Sequence, residues 1–176
     1  MNIRLAQESD LASIQRVIKT AFSDEENEAI SSFAADLATE LASPPIKSLV
    51  AEVDNQVIGY VSYSPIFLKS DTNISGYILA PLAVSPAHQK QGVGSNLINS
   101  GIDMLTKDGA GILLVYGDPD YYGRFGFKEE IGRSFVPPYP LEYPFGWTGM
   151  MLNGTAVPDK SMKFECVNAL SKPELW

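Results

Sequence analysis

The sequence is short of the side chains that run most metal and nucleophile chemistry, with one cysteine and one histidine in 176 residues. Cys166 has no second cysteine for an intrachain disulfide. With His88 it falls short of the ligand set of most structural zinc sites, and no serine near His88 stands in a G-x-S-x-G elbow. Zinc enzymes and triad hydrolases therefore fall far down the list of function classes, and no metal is expected. Basic residues are also scarce: 13 Lys and Arg against 21 Asp and Glu leave a net charge of −8. Nucleic-acid binding draws on clustered Lys and Arg, so no nucleic acid is expected as a partner. No apolar run approaches the roughly 18 residues that cross a bilayer, which excludes a membrane span. The opening MNIRLAQESD has no basic segment followed by an apolar one, and the expectation is a cytoplasmic protein without a secretory signal. There is no G-x-x-x-x-G-K nucleotide loop, no internal repeat and no linker. The triplets Asn73-Ile74-Ser75 and Asn153-Gly154-Thr155 match a glycosylation pattern common by chance, and they read as loop residues.

What is present is a globular composition, 45% hydrophobic and 19% charged, at the size of one domain, so residues 1–176 read as a single domain. A short strand over residues 2–6 precedes Leu11, Ile14, Val17, Ile18, Ala21 and Phe22 at helical spacing, with Ser9 or Asp10 as cap. A second helical stripe, Ile30, Phe33, Ala34, Leu37, Ala38 and Leu41, ends before Pro44-Pro45. SLVAEV and QVIGYVSYS flank Asp54-Asn55 as the arms of a hairpin. YILAPLAV, residues 77–84, reads as a fourth strand in which Pro81 marks a bulge or an unpaired position. Val93, Leu97, Ile98, Ile102 and Leu105 give a third helix, and ILLVY at 112–116 a buried strand parallel to the fourth. A short helix over Tyr121–Phe125 follows, then a Pro- and aromatic-rich stretch from Phe135 to Trp147, and a closing strand MKFECV.

Between the fourth strand and the third helix lies Gln89-Lys90-Gln91-Gly92-Val93-Gly94. Unsatisfied amides and the helix dipole make such a place a ready anion site, which glycines let the anion approach. It is not the dinucleotide G-x-G-x-x-G, because Leu97 occupies the third glycine position. On the residues alone, a tight turn into a helix explains two glycines equally well.

The segment V-x-P-x-x-Q-x-x-G-x-G after a broken strand resembles the acetyl-coenzyme A (acetyl-CoA) motif of the GNAT-type N-acetyltransferase superfamily, and 122-YGRFGF-127 is similar to its Y-x-x-x-G-F element. Within that superfamily, GDPDYYGRFGF most resembles the YhbS-like group. The resemblance covers residues 2–130. It implies an α/β (α+β) fold: a mixed, mostly antiparallel sheet with a splayed fourth and fifth strand pair and flanking helices. It divides the domain into an acetyl-CoA binding core, 1–130, and an aromatic and Pro-rich part, 131–176. Acetyl-CoA would be the co-substrate, its pyrophosphate on the turn Gln89, Lys90, Gln91, Gly92, Val93, Gly94 and Ser95, and its pantetheine arm along the main chain of Leu82, Ala83 and Val84.

The implied reaction is direct attack of a neutral amine on the thioester, with Tyr122 as the acid for the leaving thiolate. An amine near pKa 10.4 is rarely neutral at pH 7, a penalty of roughly 4.6 kcal/mol, so a base or water path is required. Relatives place a carboxylate in the fourth strand, but 77-YILAPLAV-84 has none, and the family's usual Asn after the fifth strand is also missing. Glu25, Glu26, Glu28 and Asp118 remain as candidates. Phe135, Tyr139, Tyr143, Phe145 and Trp147 either line an acceptor cleft or pack the C-terminal region. The acceptor is an amine of a small molecule or peptide, and a homodimer is left open. The alternative is a non-catalytic acyl-CoA binding or sensing module on the same scaffold.

Overall fold

The computed structural model describes residues 1–69 and 74–176, with the side chains of 24–27 left out of the description. Asn73 of the first glycosylation-like triplet, and the side chains of Glu25 and Glu26, therefore lie outside the described residues. The chain forms two compact units, Met1–Tyr63 with Pro81–Gly101, and Ser64–Ala80 with Ile102–Trp176.

In the first unit, β1 (Asn2–Leu5) pairs antiparallel with β2 (Lys47–Val53), which pairs antiparallel with β3 (Gln56–Leu68). Asp54 and Asn55 both adopt positive φ, 49° and 61°, the two-residue turn whose twist suits a hairpin. β4 (Gly76–Val84) neighbours β3. Helix α1 (Leu11–Ala21) turns Ile14, Val17 and Ile18 onto Val50, Tyr60 and Ala83, where Ala34 of α2 (Asp24–Thr39) joins them. On β3, Gly59 receives α3 (Val93–Lys107): a Cβ there would lie 2.9 Å from Val93 Cγ1 and 3.0 Å from Leu97 Cδ1.

The second helix is shorter than its stripe implies. It ends at Thr39, Glu40 turns to extended geometry, and Leu41 is 98% exposed. The apolar spacing runs past the helix because a period records residue type, and nothing packs on Leu41.

In the second unit the first four residues of β4 pair parallel with β5 (Ile112–Tyr116), from Gly76↔Ile112 to Leu79↔Val115. On its other edge β5 pairs antiparallel with β7 (Trp147–Met151), from Ile112↔Met151 to Tyr116↔Trp147. β8 (Met162–Cys166) pairs antiparallel with the end of β3 and parallel with the two-residue β6 (Phe135–Val136). Two short helices, α4 (Pro119–Gly123) and α5 (Glu129–Gly132), lie between β5 and β6. The fold is thus the expected mixed, mostly antiparallel sheet with flanking helices. The strand β7 falls where an irregular segment is expected. Its Gly149 has no intrinsic strand preference, yet a Cβ there would lie 2.7 Å from Leu114 Cδ2, so the close pairing with β5 selects glycine.

Candidate active site

β4 runs on to Val84 after its ladder with β5 ends at Leu79. Pro81 sits within this continuation, and the strand is unbroken there; the pairing with β5, and not the strand, is what stops. Leu82 and Val84 are half-buried and Ala83 is 2% exposed, its methyl in the core with Tyr60 and Val50. After Val84 the Ser85 N–H donates to the Ile58 carbonyl at 2.8 Å, and one 3-10 turn, Pro86–His88, leads into the glycine segment.

Two left-handed residues, Lys90 at φ 59° and Gly92 at φ 83°, curl the main chain of that segment, local geometry of the kind that forms anion-binding concavities. The Gln89 side-chain amide donates to the Val84 carbonyl at 3.0 Å, and the Gln91 amide to the Ala87 carbonyl at 2.9 Å. Both glutamines therefore brace the turn. The Asn96 N–H donates to the Gly92 carbonyl at 2.9 Å as α3 begins, so the amides of Val93, Gly94 and Ser95 belong to the first turn, where helix geometry supplies no acceptor. Val93 is buried against Gly59, while Gln89, Lys90, Gln91 and Gly92 are exposed. The first unit thus brings together all of the residues expected to bind coenzyme.

Tyr122 belongs to the second unit, in α4. Asp118 caps that helix by accepting from the Asp120 N–H at 2.9 Å, and Pro119 opens it with the φ a first helical turn needs. The Tyr122 ring meets Tyr121 at 5.1 Å and Phe127 at 5.7 Å, both edge to face. It also lies over Gly117, where a Cβ would come within 2.6 Å of Tyr122 Cε2. Sequence reasoning overlooks this role of Gly117, which is signalled only by the spelling GDPDYY. Burial, followed by the charges of Tyr121 and Asp118, pushes the Tyr122 hydroxyl above the ordinary tyrosine value, so it is protonated at neutral pH.

Gly117 and Asp118 also line a cleft of about 480 Å³ in this unit. Its aromatic wall is Tyr116, Tyr143, Phe145 and Trp176. The Tyr143–Gly146 segment is fixed to the end of β5 by two bonds: the Tyr143 N–H donates to the Tyr116 phenol oxygen at 2.8 Å, and the Gly117 N–H to the Gly146 carbonyl at 3.0 Å. Of the five aromatics in the Pro-rich stretch, Tyr143 and Phe145 line the cleft. Phe135 and Trp147 are core residues, 1% and 4% exposed, with Trp147 stacked on Phe164 and its Nε1–H donating to the Phe135 carbonyl at 2.8 Å. Tyr139 points its hydroxyl to the Ser171 carbonyl at 3.1 Å. Among the candidate bases, Glu28 is exposed on α2, and Asp118 lines the cleft. Among the described residues, no three His, Cys, Asp or Glu side chains converge as a metal site, and no helix is long and apolar enough to cross a membrane.

This arrangement has close counterparts. The model of the acetyltransferase (GNAT) family matches residues 11–127. An uncharacterized N-acetyltransferase of Escherichia coli K12, YjhQ, is 31% identical over 156 residues, which is 88% of this chain and 84% of that protein. The crystal structure of the E. coli GNAT family N-acetyltransferase YhbS in complex with CoA superposes with a TM-score of 0.84 at 26% identity, covering 97% of this chain and 92% of that one. A GNAT family acetyltransferase of Brucella melitensis in complex with acetyl-CoA gives 0.66 at 29% identity over 92% and 93%. The chain belongs to the GNAT family of acetyltransferases, and is an acyltransferase by class.

Proposed function

We propose that the chain, as one N-acetyltransferase domain in the cytoplasm, transfers an acetyl group from acetyl-CoA directly to an amine of a small molecule or peptide. One observation carries the reading: β4 continues past its ladder with β5 and enters, through Pro86–His88, a turn with two left-handed residues at the start of α3. The CoA and acetyl-CoA held by the two structural relatives support the same co-substrate. In this reading the main chain of Leu82, Ala83 and Val84 pairs with the pantetheine arm. The amides from Lys90 to Ser95 receive the pyrophosphate, with Gln89 and Gln91 bracing the turn.

For the chemistry, the neutral amine forms its bond to the thioester carbonyl carbon as the carbon–sulfur bond breaks. The Tyr122 hydroxyl, kept protonated by burial, gives its proton to the departing sulfur. Asp118, which lines the cleft beside Gly117, takes the proton lost by the amine through water. Steady-state release of free CoA thiol in the presence of an amine panel tests this. Amine-dependent release with mass-confirmed N-acetyl product is expected; coenzyme binding without turnover on any amine would instead support an acyl-CoA sensing module. The absence of a carboxylate from 77-YILAPLAV-84 is the observation that favours that second reading.

A further inference from the structure

The cleft at the end of β5 combines two kinds of lining. Tyr143 and Phe145 remain 53% and 58% exposed at its edge, an edge-to-face pair at 5.9 Å. Beside them Asp118, Glu142 and Glu174 line the same space, whose wall has no Lys, Arg or His among the described residues. None of these carboxylates has an ion-pair partner among the described residues; the ion pairs at Arg4, Lys69, Lys128 and Arg133 engage other acids. Glu142 directly precedes Tyr143 in the chain, which sets an acid next to the exposed aromatic edge.

Aromatic faces attract a cation through their negative quadrupole, and a free carboxylate attracts it through charge-assisted hydrogen bonds. An acceptor bearing its own carboxylate brings like charge into the same space. A cation, however, conflicts with the chemistry, since the nitrogen that attacks must be neutral. A molecule with two nitrogens removes the conflict: one stays protonated in the acidic, aromatic cleft while the other loses its proton and reacts. We propose that the acceptor is a small aliphatic di- or polyamine. The proposal rests on the acetyl-transfer reading and on the cleft bordering Gly117, over which the Tyr122 ring lies.

The test compares 1,4-diaminobutane and spermidine with n-butylamine, which presents the same reacting group without the second ammonium. At low ionic strength, kcat/KM for the diamine is expected to exceed that for the monoamine at least tenfold. In Glu142→Gln/Glu174→Gln, made at two exposed positions, the ratio should fall towards one. Equal kcat/KM for the two amines, or a ratio that the double variant leaves unchanged, overturns the proposal while acetyl transfer stands. If no amine turns over, calorimetric titration of spermidine into the CoA-bound protein decides separately. Binding that the double variant loses supports the cleft as a polyamine site and removes the catalytic reading, whereas no heat of binding removes the proposal as well.

Discussion

Tyr121 and Phe127 hold the ring of Tyr122 from two sides, and Gly117 gives it backbone to lie on, so the position of the hydroxyl depends on carbon contacts that survive its removal. Tyr122→Phe is therefore expected to leave acetyl-CoA affinity within a few-fold and to lower kcat by about 10², the lower end for general acid catalysis, because a thiolate leaves tolerably unaided. Rates measured where chemistry limits turnover check this, and an unchanged kcat would make Tyr122 a packing residue. The pH profile gives an independent reading. The folded Tyr122 hydroxyl is raised above its ordinary value near 10, so it keeps its proton throughout the range in which an amine acceptor is losing its own. The kcat/KM should rise with pH from 7 to 9 as the amine deprotonates, with no descending limb below about pH 10. A fall between pH 8 and 9 would mean that the essential acid is another group.

At the scale of elements, the turn into α3 separates two glycines that the sequence presents alike. Gly92, at φ 83°, cannot accept valine without backbone strain, about 1–2 kcal/mol for a left-handed residue and more when it is β-branched. Gly94 is the second residue of α3. Valine at Gly92 therefore strains the fold as well as the turn, and Gly94→Val is the cleaner probe. Calorimetry should show its acetyl-CoA affinity at least tenfold weaker with the melting temperature within a few degrees of the parent; unchanged affinity would remove the anion site from the turn.

A second element-level device is the junction of β1, β2 and the turn before α1. Asp10 accepts two hydrogen bonds from the Arg4 guanidinium, at 2.6 and 2.9 Å, and one from the Gln7 N–H at 2.8 Å, while Arg4 Nε donates to Glu52 at 2.8 Å. The Arg4 guanidinium hydrogen-bonded to it holds the Asp10 carboxyl below the usual carboxylate range. A pKa depressed in the folded state stabilises fully above the unfolded value, near 4, and this stabilisation is lost as pH falls through the folded value. Asp10→Asn should cost about 2 kcal/mol at pH 7, the worth of hydrogen bonds to a charged group, and should flatten the acid side of the stability curve. Urea unfolding at pH 7 and pH 3 measures both; an equal loss at the two would mean that the carboxylate charge contributes nothing.

These elements also show what was legible beforehand. The helices α1 and α3 and the hairpin at Asp54-Asn55 are written in local period and turn chemistry, and the glycine turn in a motif that places its own strand and helix. β7 and the division of labour among the aromatics are not local. Trp147 and Phe145 are two residues apart with similar chemistry, and what makes one core and the other cleft wall is the pairing of Trp147 with Tyr116, far back in the chain.

For the whole molecule, the turn proposed to hold coenzyme and the tyrosine proposed as the acid lie in different parts of the chain, so the two proposed roles can be measured apart. A ligand that binds only the folded state stabilises it by about 2.7 kcal/mol at 100 times its dissociation constant. In a chain of 176 residues each kcal/mol moves the midpoint by about 2–4 °C, so saturating acetyl-CoA is expected to raise the melting temperature by about 5–10 °C. Tyr122→Phe should retain that rise, because its loss falls on the transition state. Gly94→Val should lose most of it, because its loss falls on ground-state binding. Scanning calorimetry of the three proteins with and without acetyl-CoA therefore separates the two roles in one experiment. No shift in the parent protein at millimolar acetyl-CoA would remove coenzyme binding itself, and with it both assignments.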